Sequence, residues 1–335
     1  EDLKRRDFTI NAMAFDGEEV IDPFGGKEDL KNGIIRAVGD PNERFEEDAL
    51  RILRALRFAS KLGFEIETKT AVAMREKKEL LKEISAERIF SELKLILCGK
   101  DATKVLLDFS DIIGQIIPEI KPTIGFEQHN KHHVYDVYTH TAVAVGSIDP
   151  DPTLRLTMLL HDIGKPDVYY FEDGQGHFYG HPEVSAEIAR TVLNRLKCDN
   201  ATKDTVLTLI KEHDNRFPPE KKSVKRMLGK IGEHNYSLLM KVKRADTDAQ
   251  SDYLKDEKYA QINALINVAK QIEEENECFS LSDLAINGSD LKEFLSGKKI
   301  GPALRKCLSM VIGEKLPNEK QALLAFAMKK YGNKE

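Results

Sequence analysis

The 335-residue sequence contains no tryptophan, few aromatic residues and only four cysteines, and it has no apolar run of membrane-spanning length. The cysteines are far apart and form no Cys-x-x-Cys pair, which argues against a zinc site or a disulfide framework and favours reduced thiols. The sequence also shows no signal-peptide pattern. These absences predict a cytoplasmic protein that is not embedded in a membrane.

Charged residues make up 32% of the sequence, and the formal net charge is −5. This composition suits long amphipathic helices with solvated outer faces, and the length allows two or three domains. Net charge says little about local fields, and the sequence contains several basic clusters. We hypothesise that these clusters together contact an RNA backbone, although each by itself is typical of a solvated helix face.

A His-Asp pair, His161-Asp162, follows an apolar run that reads as a buried helix and precedes Ile-Gly-Lys. His140 and Asp246 lie in two other helical runs. Imidazole and carboxylate together suit Mn, Fe, Ni, Zn or, with more oxygen ligands, Mg. The alternative is that these histidines are helix caps and core side chains with satisfied hydrogen bonds.

The order H…HD…D resembles the HD superfamily of metal-dependent phosphohydrolases, and His181 and His213 match extra histidines found in many members. The resemblance implies one divalent cation, Mg, Mn, Ni or Co, held by four ligands: His140, His161, Asp162 and Asp246. It implies catalytic roles for His161, Asp162 and Lys165. Lys165, His181 and His213 are candidates for gripping phosphate or holding a second metal. His129, His132 and His133 could add phosphate contacts, and a surface role unrelated to the chemistry is equally consistent with the sequence.

Four sequence blocks resemble the bacterial-type (class II) CCA-adding tRNA nucleotidyltransferases and poly(A) polymerases. They are RRDFTINAMA at 5–14, DPFGG at 22–26, EDALRILRALRFA at 47–59 and SAERIFSEL at 85–93. The resemblance extends over essentially the whole chain. It implies an enzyme that adds C, A or both to tRNA or other RNA 3′ ends from CTP and ATP with Mg, and it makes no prediction of the oligomeric state.

The third block carries a physical argument for base recognition. Asp48 and Arg51 are three positions apart, so on a helix they share one face. A carboxylate acceptor beside a guanidinium donor matches the pairing edges of cytosine and adenine, whereas uracil and guanine present the opposite polarity. An ordinary intrahelical ion-pair network is the alternative. By resemblance, the nucleotide-binding residues are Arg5, Arg6, Asp7, Asn11, Asp48, Arg51, Arg54 and Arg57.

Nucleotidyl transfer requires paired carboxylates that hold two metal ions. The family supplies them from an Asp-x-Asp block upstream of RRDFT, whereas this sequence begins at Glu1, and its Asp-x-Asp pairs at 149–151 and 246–248 fall in the HD region. We therefore expect these residues to lack the N-terminal catalytic part of the head, as a fragment or after loss of the head, and not to transfer nucleotides alone. Nucleotide incorporation by this chain would refute that expectation.

The predicted fold is mainly α, with an elongated multi-helical neck, an HD-type helical domain, a helical tail and a small β remnant of the head. The predicted boundaries are 1–40 for the head remnant, 41–125 for the neck that recognises the base, 126–252 for the HD domain and 253–335 for a tRNA-binding tail. A hairpin is expected near 168–179, with its turn at 172–174, and a strand within 8–15.

Three functions therefore compete at this point. The first is a tRNA nucleotidyltransferase whose HD domain hydrolyses phosphate esters at RNA ends. The second is a freestanding HD phosphohydrolase acting on 2′,3′-cyclic or terminal phosphates. The third is a non-catalytic RNA-binding protein.

Overall fold

The computed structural model describes residues 2–332, and their fold is mainly α-helical with three short strand pairs, which confirms the predicted fold class. The chain divides into two compact units. The first unit comprises the residues up to Asp214 together with Lys241–Lys255, and the second comprises Asn215–Met240 and the residues from Asp256 onward. Within residues 2–332, no helix combines the length and apolarity that crossing a membrane requires.

The N-terminal part of the first unit contains most of the strand structure. Strands β1 (Ala14–Phe15) and β2 (Val20–Ile21) pair antiparallel, and α1 follows at Gly26–Asn32. Strand β3 (Ile34–Ile35) then pairs in parallel with β4 (Glu65–Ile66).

The expected strand within 8–15 is wrong over most of its length. Phe8 makes a single isolated bridge to Ala37, and residues Thr9–Asn11 then turn into a 3₁₀ helix. The carboxylate of Asp7 accepts hydrogen bonds from the Phe8 amide and the Asn11 side chain. Such local side-chain bonds offer the backbone an alternative to a strand ladder.

Six helices continue the first unit: α2 (Pro41–Glu47), α3 (Leu50–Leu62), α4 (Thr68–Lys77), α5 (Ala86–Leu97), α6 (Ala102–Asp108) and α7 (Ser110–Ile116). Short 3₁₀ segments occupy Lys78–Glu83 and Pro118–Thr123. Helices α3 and α5 pack against each other through apolar faces that include Leu53, Leu56 and Leu93, all fully buried. Burial of these faces leaves Arg51, Arg54 and Arg57 of α3 partly exposed.

Five more helices complete most of the first unit: α8 (Val137–Ser147), α9 (Pro152–Leu160), α10 (Lys165–Val168), α11 (His181–Arg195) and α12 (Asn200–Glu212). Strands β5 (Tyr170–Glu172) and β6 (Gln175–His177) form an antiparallel hairpin between α10 and α11. The predicted hairpin is therefore confirmed, with its turn at Asp173-Gly174 rather than at 172–174.

Helix α13 (Lys221–Asp248) begins in the second unit and ends in the first, and its helical geometry is interrupted at Gly232, whose φ is 80°. Helices α14 (Lys255–Glu274), α15 (Gly288–Leu291), α16 (Gly297–Ile312) and α17 (Lys320–Tyr331) follow, with a 3₁₀ turn at Leu281–Asp283. Part of the second unit packs around its own apolar core, formed by Cys278, Leu284, Ile286, Leu291, Leu295, Ala303, Cys307, Leu323 and Ala327.

Candidate functional site

The four side chains predicted as metal ligands lie together in the first unit. The Nε2 atom of His140 is 3.0 Å from Asp246 Oδ1 and 3.4 Å from Asp162 Oδ2. The Nε2 atom of His161 is 3.2 Å from Asp162 Oδ2 and 3.6 Å from Asp246 Oδ1. These two nitrogens and two oxygens face one point, as the ligands of a single cation would.

A second group shares one of these residues. Asp162 Oδ1 lies 3.3 Å from His181 Nε2 and 3.6 Å from His213 Nε2. The two imidazole nitrogens are 3.2 Å apart. The carboxylate of Asp162 therefore presents one oxygen to each group, which is the arrangement that bridges two neighbouring cations.

All four histidines are oriented through Nδ1, which lies within hydrogen-bonding distance of a backbone carbonyl. The acceptors are Ala249 O for His140 at 3.2 Å, Met158 O for His161 at 2.7 Å, Phe178 O for His181 at 2.8 Å and Ile210 O for His213 at 2.6 Å. A donor at Nδ1 leaves the Nε2 lone pair for a cation and fixes the direction of the ring. The Asp246 carboxylate is held in turn by Gln250 Nε2 at 2.9 Å.

Asp162 is almost wholly buried, and its two carboxylate oxygens face the imidazole nitrogens of both groups. Lys165 Nζ lies 2.7 Å from Oδ2 and is itself buried, donating to Gln128 Oε1 at 2.8 Å. One ammonium does not satisfy two buried carboxylate oxygens surrounded by histidine nitrogens. The oxygen and nitrogen donors therefore fit a divalent cation of the Mn, Ni, Co or Mg class.

The carboxylates and histidines shift one another's pKa values. Burial by itself lowers the pKa of His161, but Asp162 and Asp246 raise it to about 10. Burial raises the pKa of a carboxyl group, yet the positive charges of His161 and Lys165 hold the pKa of Asp162 well below its usual range. Because His161 must be neutral to act as a ligand, a cation bound there would displace its proton.

Local sequence explains how His161 reaches this position. Asp151 caps α9 by accepting from the amides of Thr153 and Leu154, and Pro152 occupies the first helical turn. His161 then stands at the end of α9. The following Gly164 lies against α11, where an added Cβ would be 2.6 Å from the Ser185 backbone nitrogen, so only glycine permits this close approach.

The three histidines of the 129–133 segment differ in position. The His133 ring centroid is 5.1 Å from that of His140, and burial, reinforced by Lys165 and His140, lowers the pKa of His133 to about 2. His129 instead packs near Phe171, and His132 packs near Tyr253. Only His133 lies beside the ligand cluster.

Most of the predicted nucleotide-binding residues line one cavity of about 520 Å³ at the junction of the N-terminal segment and α3. The lining residues are Arg5, Arg6, Asp7, Asn11, Asp48, Leu50, Arg51, Arg54, Phe58 and Arg88. Of the eight predicted residues, Arg57 does not line it. Sequence reasoning did not single out Arg88 or Phe58, although Arg88 lies within the SAERIFSEL block and Phe58 within EDALRILRALRFA.

Asp48 does not lie on a helix, so the expectation that it shares a helical face with Arg51 is wrong. It has extended backbone geometry between α2 and α3, where Oδ1 accepts from the Leu50 amide at 3.1 Å. Its Oδ2 accepts from Arg88 Nη2 at 2.9 Å. Arg51 instead contacts Glu47 Oε2 at 2.8 Å and the carbonyl of Arg5 at 2.9 Å.

The other two arginines of α3 are held by buried carboxylates. Arg54 Nη2 lies 2.6 Å from Asp7 Oδ2. Arg57 Nη1 lies 3.0 Å from Glu92 Oε1 and its guanidinium is 4.6 Å from the Phe58 ring centroid. Burial raises the pKa of Glu92 in spite of this ion pair. Arg57 therefore supports the ring that lines the cavity, while Arg54 fixes Asp7 at its edge.

Family models match three parts of the chain. The one described as "Poly A polymerase head domain" matches residues 1–36, "Probable RNA and SrmB- binding site of polymerase A" matches 63–124 and "tRNA nucleotidyltransferase domain 2 putative" matches 179–327. The chain is also 33% identical over 334 residues to the CCA-adding enzyme of Enterococcus faecalis, covering 98% of this chain and 71% of that protein. The chain belongs to the tRNA nucleotidyltransferase (CCA-adding) family.

Another relative is the A-adding tRNA nucleotidyltransferase of Deinococcus radiodurans. It is 31% identical over 325 residues, which cover 91% of this chain and 73% of that protein. A solved structure of the Bacillus stearothermophilus CCA-adding enzyme in complex with CTP has a TM-score of 0.66 at 23% identity and covers 98% of this chain and 74% of that one. That likeness supports the mainly helical fold.

Proposed function

We propose that the cavity beside α3 recognises the base of an incoming CTP or ATP in the addition of nucleotides to tRNA 3′ ends. The observation that carries this proposal is that seven of the eight residues expected to bind the nucleotide line the same cavity. The relatives add weight, since one is a CCA-adding enzyme and another an A-adding enzyme.

The chemistry of the cavity suits a choice between bases. Asp48 is an acceptor for the exocyclic amino group of cytosine or adenine, and Arg51 is a donor for the adjacent ring nitrogen. Uracil and guanine would place an acceptor against the carboxylate and a donor against the guanidinium. The carboxylate and the guanidinium would then lose their partners, which costs about 1–3 kcal/mol per bidentate pair.

The binding of CTP, ATP, GTP and UTP to the full chain, measured by titration calorimetry, tests this role. CTP and ATP should bind roughly tenfold or more tightly than UTP and GTP. Asp48→Asn should remove most of that difference. The matched control is Glu46→Gln, because Glu46 is exposed, pairs with Lys77 and does not line the cavity. Equal affinities for all four nucleotides in the unchanged chain would contradict the proposal.

A second function is proposed for the histidine and aspartate cluster, namely hydrolysis of phosphate esters at RNA ends. The observation that favours it is Asp162, whose two buried oxygens face two groups of imidazole nitrogens, with Lys165 as the one ammonium beside them. We assign His140, His161, Asp162 and Asp246 to one divalent cation. His181 and His213, with Asp162, are assigned to a second.

When bound, a divalent cation supplies Lewis-acid chemistry at a phosphate. The protein's own residues supply orientation and charge. Lys165 carries a positive charge at the cluster and offsets the negative charge of a phosphate oxygen brought there. Gln128 fixes the Lys165 ammonium, while the carbonyls that accept from the four Nδ1 atoms prevent the imidazoles from turning. The substrate class proposed is a 2′,3′-cyclic or terminal phosphate.

Hydrolysis of 2′,3′-cyclic AMP by the full chain, with Mg, Mn, Ni or Co, tests this second function. Turnover should require a metal and should be lost when His161→Ala and Asp162→Ala are combined. The matched control is His234→Ala, which removes an exposed imidazole from the second unit. If no metal supports turnover by a folded chain, the proposed hydrolysis is wrong, and the RNA-binding alternative gains support.

A further inference from the structure

The histidine and aspartate cluster is almost completely enclosed. His140 and His161 are fully buried, and Asp162 and Lys165 are nearly so. Among the four side chains assigned to the first cation, the most exposed is Asp246, at 20%. A phosphate ester cannot contact Lys165 and Asp162 while both are buried, so an element of the structure has to move before one can bind.

The segment at 126–136, which forms neither helix nor strand, is a compact loop with closed ends. The Val137 amide donates to Phe126 O at 3.0 Å, and the Gly125 amide donates to Asp136 Oδ1 at 3.2 Å. These two bonds pin the ends of the segment together, as in an Ω-loop. We refer to residues 126–136 as the covering loop.

Two side chains of the covering loop reach the cluster. Gln128 is buried, and its Oε1 accepts from Lys165 Nζ at 2.8 Å. The Nε2 of the same side chain donates to Tyr135 O at 3.1 Å and so braces the loop. The ring centroid of His133 lies 5.1 Å from that of His140. The covering loop therefore closes the cluster from one side.

Hydrogen bonds attach the covering loop to the segments on either side of it. The Gly176 amide of β6 donates to His129 O at 2.9 Å. The Ser251 amide donates to His132 O at 2.9 Å, and Ser251 Oγ donates to Lys131 O at 2.6 Å. Bonds of this kind break in local opening without unfolding the rest of a protein. The two amides therefore report whether the loop is seated.

Lys165 has a neighbour for each of its three ammonium donors. These neighbours are Asp162 Oδ2 at 2.7 Å, Gln128 Oε1 at 2.8 Å and the Phe178 ring, whose centroid is 5.2 Å from Nζ. A phosphate oxygen that binds the ammonium must displace one of them. Asp162 carries the opposite charge, whereas Gln128 is a neutral amide on a loop. Gln128 is therefore the partner that a phosphate replaces.

We propose that the covering loop is a gate over the cluster, and that Gln128 holds it shut by occupying the place at Lys165 that a phosphate oxygen takes. This inference rests on the proposed hydrolytic function and adds the way in which a phosphate enters its site. Phosphate binds when the loop is open, so binding shifts the population towards the open state. The apparent affinity is reduced by the fraction of chains that are closed.

Hydrogen exchange, measured residue by residue on the full chain, tests the gate. The amides of Gly176 and Ser251 should exchange together through one local opening, while the Val137 amide at the base of the loop stays more protected. Inorganic phosphate, added with Mg, should speed exchange at Gly176 and Ser251 alike. Exchange of these two amides through global unfolding alone, or no response to phosphate, would overturn the gate.

Gln128→Met tests the competition for Lys165, because it removes the acceptor and keeps a side chain of similar length. Both reporting amides should exchange roughly tenfold faster, since a hydrogen bond to a charged donor is lost. Calorimetry should find that inorganic phosphate binds several-fold more tightly. The control is Val134→Met, an exposed position in the same loop, which should change neither quantity. A purely structural role for Gln128 would speed exchange without tightening phosphate binding, and that result would overturn the competition.

Failure of the gate and failure of hydrolysis are distinguishable, because neither measurement requires turnover. If exchange and phosphate binding respond as expected but 2′,3′-cyclic AMP is not hydrolysed with Mg, Mn, Ni or Co, the hydrolytic function is wrong and the gate stands. If 2′,3′-cyclic AMP is hydrolysed while the loop opens through global unfolding alone, the gate is wrong and the hydrolytic function stands.

Discussion

His140 Nε2 and His161 Nε2 lie 3.3 Å apart in the buried centre of the first unit. Both rings have Nδ1 directed at a backbone carbonyl, so in their neutral forms the two Nε2 lone pairs point at each other. Such an approach is repulsive unless a proton or a cation lies between them. The same relationship recurs between His181 Nε2 and His213 Nε2, which lie 3.2 Å apart.

We expect the full chain to bind up to two divalent ions, and Asp162 to be needed for both because it faces both groups. After dialysis against Mn, mass spectrometric metal analysis should find almost no metal in Asp162→Ala. One ion should remain in His213→Ala and one in Asp246→Asn. The control His234→Ala should bind as many ions as the unsubstituted chain. Two ions in Asp162→Ala would show that this carboxylate does not bridge.

Arg88 is predicted to position Asp48 for base selection. Its guanidinium holds Asp48 Oδ2 at 2.9 Å, while the Leu50 amide holds Oδ1. Arg88→Ala should therefore reduce the ratio of CTP to UTP affinity several-fold, and Arg88→Lys should retain part of it. Calorimetry measures both ratios. If Arg88→Ala weakens the binding of all four nucleotides equally, Arg88 contributes to a contact common to all of them and not to base selection.

The stability of the second unit should depend on pH through Glu277. Burial by itself raises the pKa of Glu277, but hydrogen bonds from Lys221 and Lys225 lower it to about 2. Because the folded-state pKa is depressed, this carboxylate stabilises the fold above the unfolded value of about 4.5 and the contribution is lost as pH falls from there towards 2. Protection of the second unit's amides from hydrogen exchange should fall across that window.

Glu277→Gln should flatten this pH dependence and destabilise the second unit by about 2 kcal/mol at neutral pH, since Lys225 is buried. The matched control is Glu274→Gln, whose pair with Lys270 is exposed and whose removal should change stability very little. An unchanged pH profile in Glu277→Gln would mean that the ion pairs contribute nothing to folding.

Gly176→Ala should loosen the hairpin. An added Cβ would lie 2.2 Å from the carbonyl oxygen of Gln128, so one segment must move. We expect the free energy of unfolding to fall by about 1–3 kcal/mol and the amide of residue 176 to exchange its hydrogen faster. Gly297→Ala serves as a control because a Cβ there meets nothing within 4 Å. Wild-type exchange at residue 176 would contradict the close approach.

The ligand cluster could be predicted from the sequence as a group because each member follows or lies within a strong helical pattern. What the sequence did not reveal is the shared position of Asp162. That position depends on where α11 and α12 place His181 and His213, and these distances are set by tertiary packing. Gln128 was missed for the same reason, since it lies in an irregular segment and contacts Lys165 from 37 residues away.

The block EDALRILRALRFA shows the reverse case. The residues of EDALRILRALRFA have continuous helical periodicity, with no Pro or Gly to mark a break, so the sequence predicts one helix. The structure breaks it at Asp48, which has extended backbone geometry at the end of α2 and whose side chain accepts from the amide of Leu50, the first residue of α3. Asp48 still lines the same cavity as Arg51, but it does so from the extended junction between α2 and α3 and not from a shared helical face.

The route of the chain through the two units has a consequence for biosynthesis. The first unit holds His140, His161 and Asp162 early in the chain, but it acquires Asp246 only after the chain has passed through Asn215–Met240 of the second unit. On the ribosome, His140, His161 and Asp162 are therefore synthesised many residues before Asp246. Closing such a long loop late makes the completion of this centre a slow, non-local event.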